Sequence, residues 1–334
     1  MKIYLILGIL LVMFTGCVPN NNLNQKKNFI THSHTQYPES RFLKATGFGT
    51  SRELARQNAK AELANIFESK IESELKLETR AIIDILGEHD TEKIDLTIKV
   101  YSLIRLKGVR VVDMDLKEGQ HSALAILDKT QARDNWLAEI SKCDEMITGE
   151  YKSLQKIESK IFRIKPIQKI WNNWMERTSI VSRLTVIGFS APSRNYQIKD
   201  ILGMVSSLRN NMRIYIEISG HKSKYLADAI GKVLTNEGFI LTDTQAAADV
   251  LISGHITVEP VELSTKDWKY SRAKVSLKIR DQATGHQVGD ILETVRRGHL
   301  TSEESKFKVV KDISNIVPQK VMKFFDPFCL SNKT

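Results

Sequence analysis

The stretch ATGFGTSRELARQNAKAELANIF, residues 45–67, decides how the chain is read. Two glycines stand between a strand-like segment and a helix-like one. Such a place suits a loop whose backbone cradles a phosphate, or a plain entrance into a helix in a protein that does no chemistry. Residues 41–49 alternate as a strand would. Thr50-x-x-Glu53 has the form of a capping box, in which the threonine oxygen takes a free backbone N–H and the glutamate reaches back. Ala55, Ala59, Leu63, Ile66 and Phe67 then share one helical face. A dinucleotide fingerprint needs a third glycine three residues after the second, and Arg52 stands there instead. The Gly-Lys-Ser/Thr of a Walker loop is absent too. Residues 71–79, IESELKLET, alternate apolar or small with charged residues. They predict a half-solvated strand of an antiparallel sheet, not the doubly buried strand of a nucleotide-binding unit. Gly47 and Gly49 therefore read as structural, serving a tight turn and close packing.

Toward the N-terminus, Lys2 precedes an apolar run, IYLILGILLVMF, at residues 3–14. It is short for a bilayer span and suits the core of a signal peptide. Thr15-Gly16-Cys17 follows, small residues before a cysteine, and resembles a bacterial lipobox. That resemblance implies cleavage before Cys17 and acylation of its thiol, with palmitate-type chains tethering the mature protein to a membrane. Val18 in place of Asp points to the outer membrane by the same resemblance. Residues 18–40, VPNNNLNQKKNFITHSHTQYPES, are polar and Asn-rich, and read as a flexible tether. His32 and His34 lie there without acidic or thiol partners and read as solvated.

The formal net charge is +10 over 334 residues. No dense Lys/Arg run with interleaved aromatics is present, and an exported protein does not meet DNA. Nucleic acid is therefore not expected, and contact with anionic envelope surfaces is the milder reading. The length allows two domains besides the tether. Cys143 and Cys329 read as two separate buried thiols, although an oxidising compartment permits a disulfide.

Tyr37-Pro38, the strand ending in Gly-x-Gly, Ser51-Arg52, the alanines at 55, 59 and 61 and Ile66-Phe67 together resemble the opening of the LPP-twenty family of bacterial membrane lipoproteins. Leu106-Lys107-Gly108-Val109 and the segment HSALAILD at 121–128 resemble that family's later strands. The resemblance spans roughly residues 37–130 and carries no catalytic motif. It implies a part in the cell envelope, which in some members is flagellar assembly and motility. Between these segments, 84–90 reads as a polar loop and 94–104 is ambiguous between helix and strand. The phase shift from Val109 and Val111 to Val112, Met114 and Leu116 predicts a bulge. Asp113-x-Asp115 reads as a solvated strand end, without a third acidic ligand for a cation.

Asp128 is placed to cap a helix with Gln131 at its third position. Trp136, Ile140, Cys143, Ile147, Tyr151, Leu154, Ile157 and Ile161 recur every three or four residues. The helix is predicted to run to about Lys165, where Pro166 stops or kinks it. A second helix carries Ile167, Ile170, Trp171, Trp174 and Val181. A helical hairpin and a bent rod both fit. The stripe packs within the chain or serves self-association or a partner, with Trp136, Tyr151, Trp171 and Trp174 as the candidate interface residues.

From Leu184 the pattern becomes strand (184–189), helix (198–208), strand (214–218), helix (226–234), short strand (239–241) and strand (250–258). A hairpin with its turn at 281–285 and a last helix over 302–325 follow. This domain loosely resembles those of other envelope-assembly lipoproteins. Asp243, Asp249, Asp267 and Asp281 fall at turns or element ends and read as solvated or capping. His221, His255, His286 and His299 are scattered, and no Gly-x-Ser-x-Gly elbow occurs.

The expected class is α+β: a signal peptide (1–16), a tether (17–37), an α+β domain (38–128), a helical linker or hairpin (129–182) and a C-terminal domain with a mixed sheet (183–334). The expected function is non-catalytic: a lipid-anchored protein that assembles or stabilises an envelope structure through envelope or flagellar protein contacts, without cofactor or metal. A periplasmic module binding peptidoglycan or a small ligand, for example an activator of peptidoglycan synthesis, is the alternative. A hydrolase is the remote one.

Overall fold

The computed structural model describes residues 36–86, 107–117, 119–263 and 267–326. The signal segment, Cys17, the tether up to residue 35, the segment 94–104 and Cys329 lie outside the described residues. The fold is α+β, in two compact units.

The first unit takes residues up to Ala64 and from Leu106 to Thr130. Its strands β1 (Phe42–Gly49), β2 (Arg110–Lys117) and β3 (Gln120–Asp128) form an antiparallel three-stranded sheet, order β1-β3-β2. Register pairs Phe42 with Asp128 and Gly49 with His121. The expected bulge falls between Val111 and Asp113, where pairing with β3 shifts. Central β3 is buried along Ser122–Leu127. On one face Phe42, Leu124 and Ile126 form a cluster joined by Tyr37 and Val112. The other face meets helix α1 (Arg52–Leu86), which begins in this unit and continues into the second.

The glycine question is settled at that contact. A Cβ on Gly47 would lie 2.0 Å from the backbone nitrogen of Ala59, and one on Gly49 would lie 2.7 Å from that of Ala55. The helix backbone occupies the space a side chain, or a phosphate, would need. Asn58 Nδ2 donates to the Phe48 carbonyl at 2.7 Å and fixes the approach. The cap of α1 is Ser51, not Thr50: its Oγ accepts from Leu54 N at 3.2 Å.

The predicted strand at 71–79 is corrected, because these residues continue α1. Ala55, Ala59, Leu63, Phe67, Ile71 and Leu75 are all fully buried at four-residue spacing. That stripe outweighs the local alternation, and the intervening Glu, Lys and Leu are strong helix formers.

In the second unit, α2 (Lys129–Leu154) and α3 (Lys160–Val186) precede α4 (Ile198–Asn211). Asp128 caps α2 as expected, accepting from Thr130 N at 3.0 Å. Helix α2 ends at Leu154, and Pro166 lies inside α3 instead of stopping a helix. The predicted strand at 184–189 is also corrected, since α3 runs through it to Val186. The apolar run LTVIGF fits both types, and among the described residues no strand pairs with it.

A five-stranded mixed sheet follows, order β5-β4-β6-β7-β8. Its strands are β4 (Arg213–Gly220), β5 (Ile240–Leu241), β6 (Val250–Val261), β7 (Lys269–Asp281) and β8 (Gln287–His299). β4 pairs in parallel with β5 and β6, and β6-β7-β8 is an antiparallel meander. Helices α5 (Ser223–Asn236) and α6 (Ser302–Phe325) pack on one face. In β7, Ser271, Ala273, Val275, Leu277 and Ile279 point into that core, while Lys274, Ser276 and Lys278 are exposed.

Candidate functional site

Helices α2 and α3 form an antiparallel hairpin. Lys169 Nζ donates to Glu150 Oε1 at 2.8 Å, and Arg177 Nε donates to Asp144 Oδ1 at 2.7 Å. The segment after α3 is pinned to the same place. Tyr196 OH donates to Asp144 Oδ1 at 2.5 Å, and Arg177 NH2 donates to the Pro192 carbonyl at 3.0 Å. Burial, and after it the bond to Asp144, push the Tyr196 phenol well up, so it stays a neutral donor. This anchoring sets α4 beside α3. Helix α4 opens with a capping box between Gln197 and Asp200, whose carboxylate accepts from Gln197 N at 3.0 Å.

The hairpin is fastened to the sheet of its own unit. Ser159 Oγ donates to Asp281 Oδ1 at 2.6 Å, and Lys160 Nζ donates to Asp249 Oδ2 at 2.8 Å and to the Asn211 carbonyl at 2.7 Å. Residues expected as a linker thus belong to the second unit. Asp281, read from sequence as a solvated turn residue, is 1% exposed. Its other oxygen accepts from Thr284 N at 2.9 Å and Thr284 Oγ1 at 2.6 Å.

A groove of about 830 Å³ lies between the end of α2, the start of α3 and α4. Leu154, Ile167, Met204 and Leu208 give it apolar walls, and Tyr151 and Arg163 supply donors. At Gly203 an added Cβ would meet nothing within 4 Å, so the trough is open there. The Tyr151 hydroxyl is buried without a hydrogen-bond partner. Burial, and after it the nearby Asp200 carboxylate, push its phenol up to about 12. It therefore keeps its proton at physiological pH and lacks an acceptor. Arg163 Nε donates to the Ile157 carbonyl at 2.8 Å, while its terminal nitrogens have no acceptor among the described residues. The groove offers a neutral O–H and a guanidinium edge along a trough of mixed lining, with Leu154 and Met204 beside Lys160, Asp200, Ser207 and Asn211.

Of the four residues expected at an interface, Tyr151 alone lines this groove. Trp171 and Trp174 are 0% and 1% exposed, stacked on each other with ring centroids 5.5 Å apart. Trp136 is buried edge-on to Phe67, centroids 6.0 Å apart. The partner-anchor reading of these three indoles is corrected: their own chain covers them. Cys143 is buried on the same stripe. The sequence missed Arg163, Met204 and Asp200, because the groove joins residues from three helices and no local spacing marks it.

A Ser219–His255 pair, Oγ to Nδ1 2.8 Å, sits exposed on the sheet. Ser219 Oγ also lies 3.3 Å from the Gly254 carbonyl, and the imidazole tautomer decides which atom of the Ser219–His255 pair donates. Among the described residues no group of three or more His, Cys, Asp or Glu could hold a metal, and no helix is long and apolar enough to cross a membrane.

No family model and no curated protein matches the chain. Among solved structures it is similar to the secreted protein HP1454 from Helicobacter pylori, at 12% identity over 83% of this chain and 97% of that one, with a TM-score of 0.41. It is also similar to a minor lipoprotein from Acinetobacter baumannii, at 17% identity over 33% of this chain and 89% of that one, TM-score 0.28. Rare lipoprotein B from Shewanella oneidensis is similar at 12% identity over 34% of this chain and 89% of that one, TM-score 0.25.

Proposed function

We propose that this is a lipid-anchored envelope protein that works by binding, not catalysis. Its groove takes a polypeptide segment of another envelope protein and so helps to assemble or stabilise an envelope structure. The observation that carries this reading is the buried, unpartnered Tyr151 hydroxyl beside the open Arg163 guanidinium in a trough of mixed apolar and polar lining. A buried donor left unsatisfied is costly, by about 1–3 kcal/mol. A main-chain carbonyl or an acidic side chain of the occupant supplies the acceptor, and its apolar residues cover Leu154, Ile167, Met204 and Leu208. The anchor is Cys17, supported by the apolar run ending in Thr15-Gly16-Cys17. Outer-membrane placement rests on Val18 after the lipobox cysteine, and a flagellar role on the family resemblance alone.

The test is crosslinked capture from the intact envelope, comparing the wild type with Tyr151→Phe, Arg163→Gln and Met204→Glu. A protein adduct lost in all three variants at unchanged melting temperature supports the reading. Adducts indifferent to these substitutions, or a groove that instead saturates with a peptidoglycan fragment, count against it. Separately, Cys17→Ser should release the chain from the membrane fraction, and an unacylated Cys17 in the mature protein would refute the anchor.

A further inference from the structure

We infer that the open face of the second unit's sheet, where β7 begins, binds an acidic glycan through Trp268, Tyr270, Arg272 and Arg296. This surface shares no residue with the groove, so either proposal can fail alone.

Arg272 of β7 stands directly opposite Arg296 of β8. Like charges paired across strands destabilise a sheet, so their juxtaposition needs an account. Neither guanidinium has a partner among the described residues. The neighbouring carboxylate, Glu259, faces Arg272 from β6 but lies 3.5 Å from Lys274 Nζ. The adjacent Arg297 points the other way, to Asp312 of α6. Two planar forks side by side suit a carboxylate or phosphate, which takes bidentate bonds and removes the repulsion.

On the same face, two and four residues before Arg272, stand Tyr270 and Trp268, with ring centroids 6.5 Å apart and an interplanar angle of 32°. Gly298 lies opposite Tyr270. A Cβ there would come within 2.5 Å of the tyrosine ring and 3.0 Å of the indole, so both rings lie low over bare backbone. Covering a strand glycine accounts for Tyr270. It leaves unexplained an indole still 48% exposed.

A sugar ring has an apolar C–H face that stacks on such an indole and a polar rim that needs hydrogen bonds. Exposed Thr294, opposite Lys274, and Ser276 supply hydroxyls along the strand. Leu292 of β8, opposite Ser276, adds an exposed apolar side chain to the same face. An acidic glycan meets all three features: aromatic plane, paired guanidiniums and hydroxyl-bearing strand.

The test uses the purified full mature chain in detergent against polygalacturonate, lipopolysaccharide and neutral dextran. The expectation is saturable binding to an acidic glycan and none to dextran. Lipopolysaccharide carries both carboxylates and phosphates and polygalacturonate carboxylates alone, so binding to polygalacturonate shows that carboxylate suffices. Trp268→Ala, Arg272→Gln and Arg296→Gln should each weaken binding about tenfold, while Lys278→Gln on the same face should change it less than about twofold. All four positions are surface ones, so melting temperature should hold. Absence of binding to both acidic glycans overturns the inference. So does a loss equal in Lys278→Gln, which marks generic charge, or full binding by Trp268→Ala.

Discussion

Arg177 and Asp144 meet across the helical hairpin at 2.7 Å, with the arginine side chain 4% exposed and Tyr196 bonded to the same carboxylate oxygen. One carboxylate thus ties α2, α3 and the lead into α4, and it holds the groove's walls in place. Asp144→Ala leaves a buried guanidinium without its carboxylate, bonded only to the Pro192 carbonyl, and should lower unfolding free energy by about 3 kcal/mol. Adding Arg177→Met should recover part of that loss. Urea titrations of the single and double variants check this. A double variant less stable than Asp144→Ala would show that the pair is not the tie.

Asp281 predicts a pH dependence. Burial alone would raise its carboxyl, but the bonds from Ser159 and Thr284 and the nearby His286 outweigh burial and hold it below its usual value. The folded state therefore binds this proton less readily than the unfolded one. The stability Asp281 contributes is present above about pH 4, the unfolded value, and is lost as pH falls through the folded value. Asp281→Asn should be less stable at pH 7 and show a flatter acid limb. Parallel acid limbs for variant and wild type would contradict this. The Ser159 hydroxyl is engaged by Asp281, which is why this N-cap residue makes no cap bond within α3.

Gly47→Ala should destabilise the protein by about 3 kcal/mol, at the upper end for overpacking, because the atoms in the way are helix backbone and cannot rotate aside. Gly285 differs: φ is +72° and a Cβ would meet nothing within 4 Å. Gly285→Ala should cost only about 1 kcal/mol, from backbone conformation alone. Equal effects in thermal melts would refute this distinction.

Trp174→Ala should cost about 3–5 kcal/mol, as a cavity at a 1% exposed position, and leave the solution mass unchanged. A changed mass at unchanged stability would restore the interface reading that burial argues against.

Much of the second unit was legible. The residues 302–325 form the last helix, and the hairpin around 281–285 and the 198–208 and 226–234 helices appear where their periodicity put them. These segments have one clear period and clear ends. Residues 71–79 misled because alternation over a few residues coexists with a four-residue stripe running from Ala55 to Leu75. Only the longer window separates them. The tryptophan stripe misled differently: spacing shows that Trp171 and Trp174 need cover, but not whether the cover is their own chain. The groove was illegible because Tyr151, Arg163 and Met204 converge only once Arg177, Asp144 and Tyr196 have set the helices. No local spacing records that convergence.

The most direct measurement of the central claim is site-specific photocrosslinking in intact cells, with the photoreactive side chain placed at Met204 in the groove or at exposed Lys232 on α5. The account predicts a discrete protein adduct from position 204, suppressed by Tyr151→Phe, and none from position 232. No adduct at 204, or the same adducts from both positions, would contradict it.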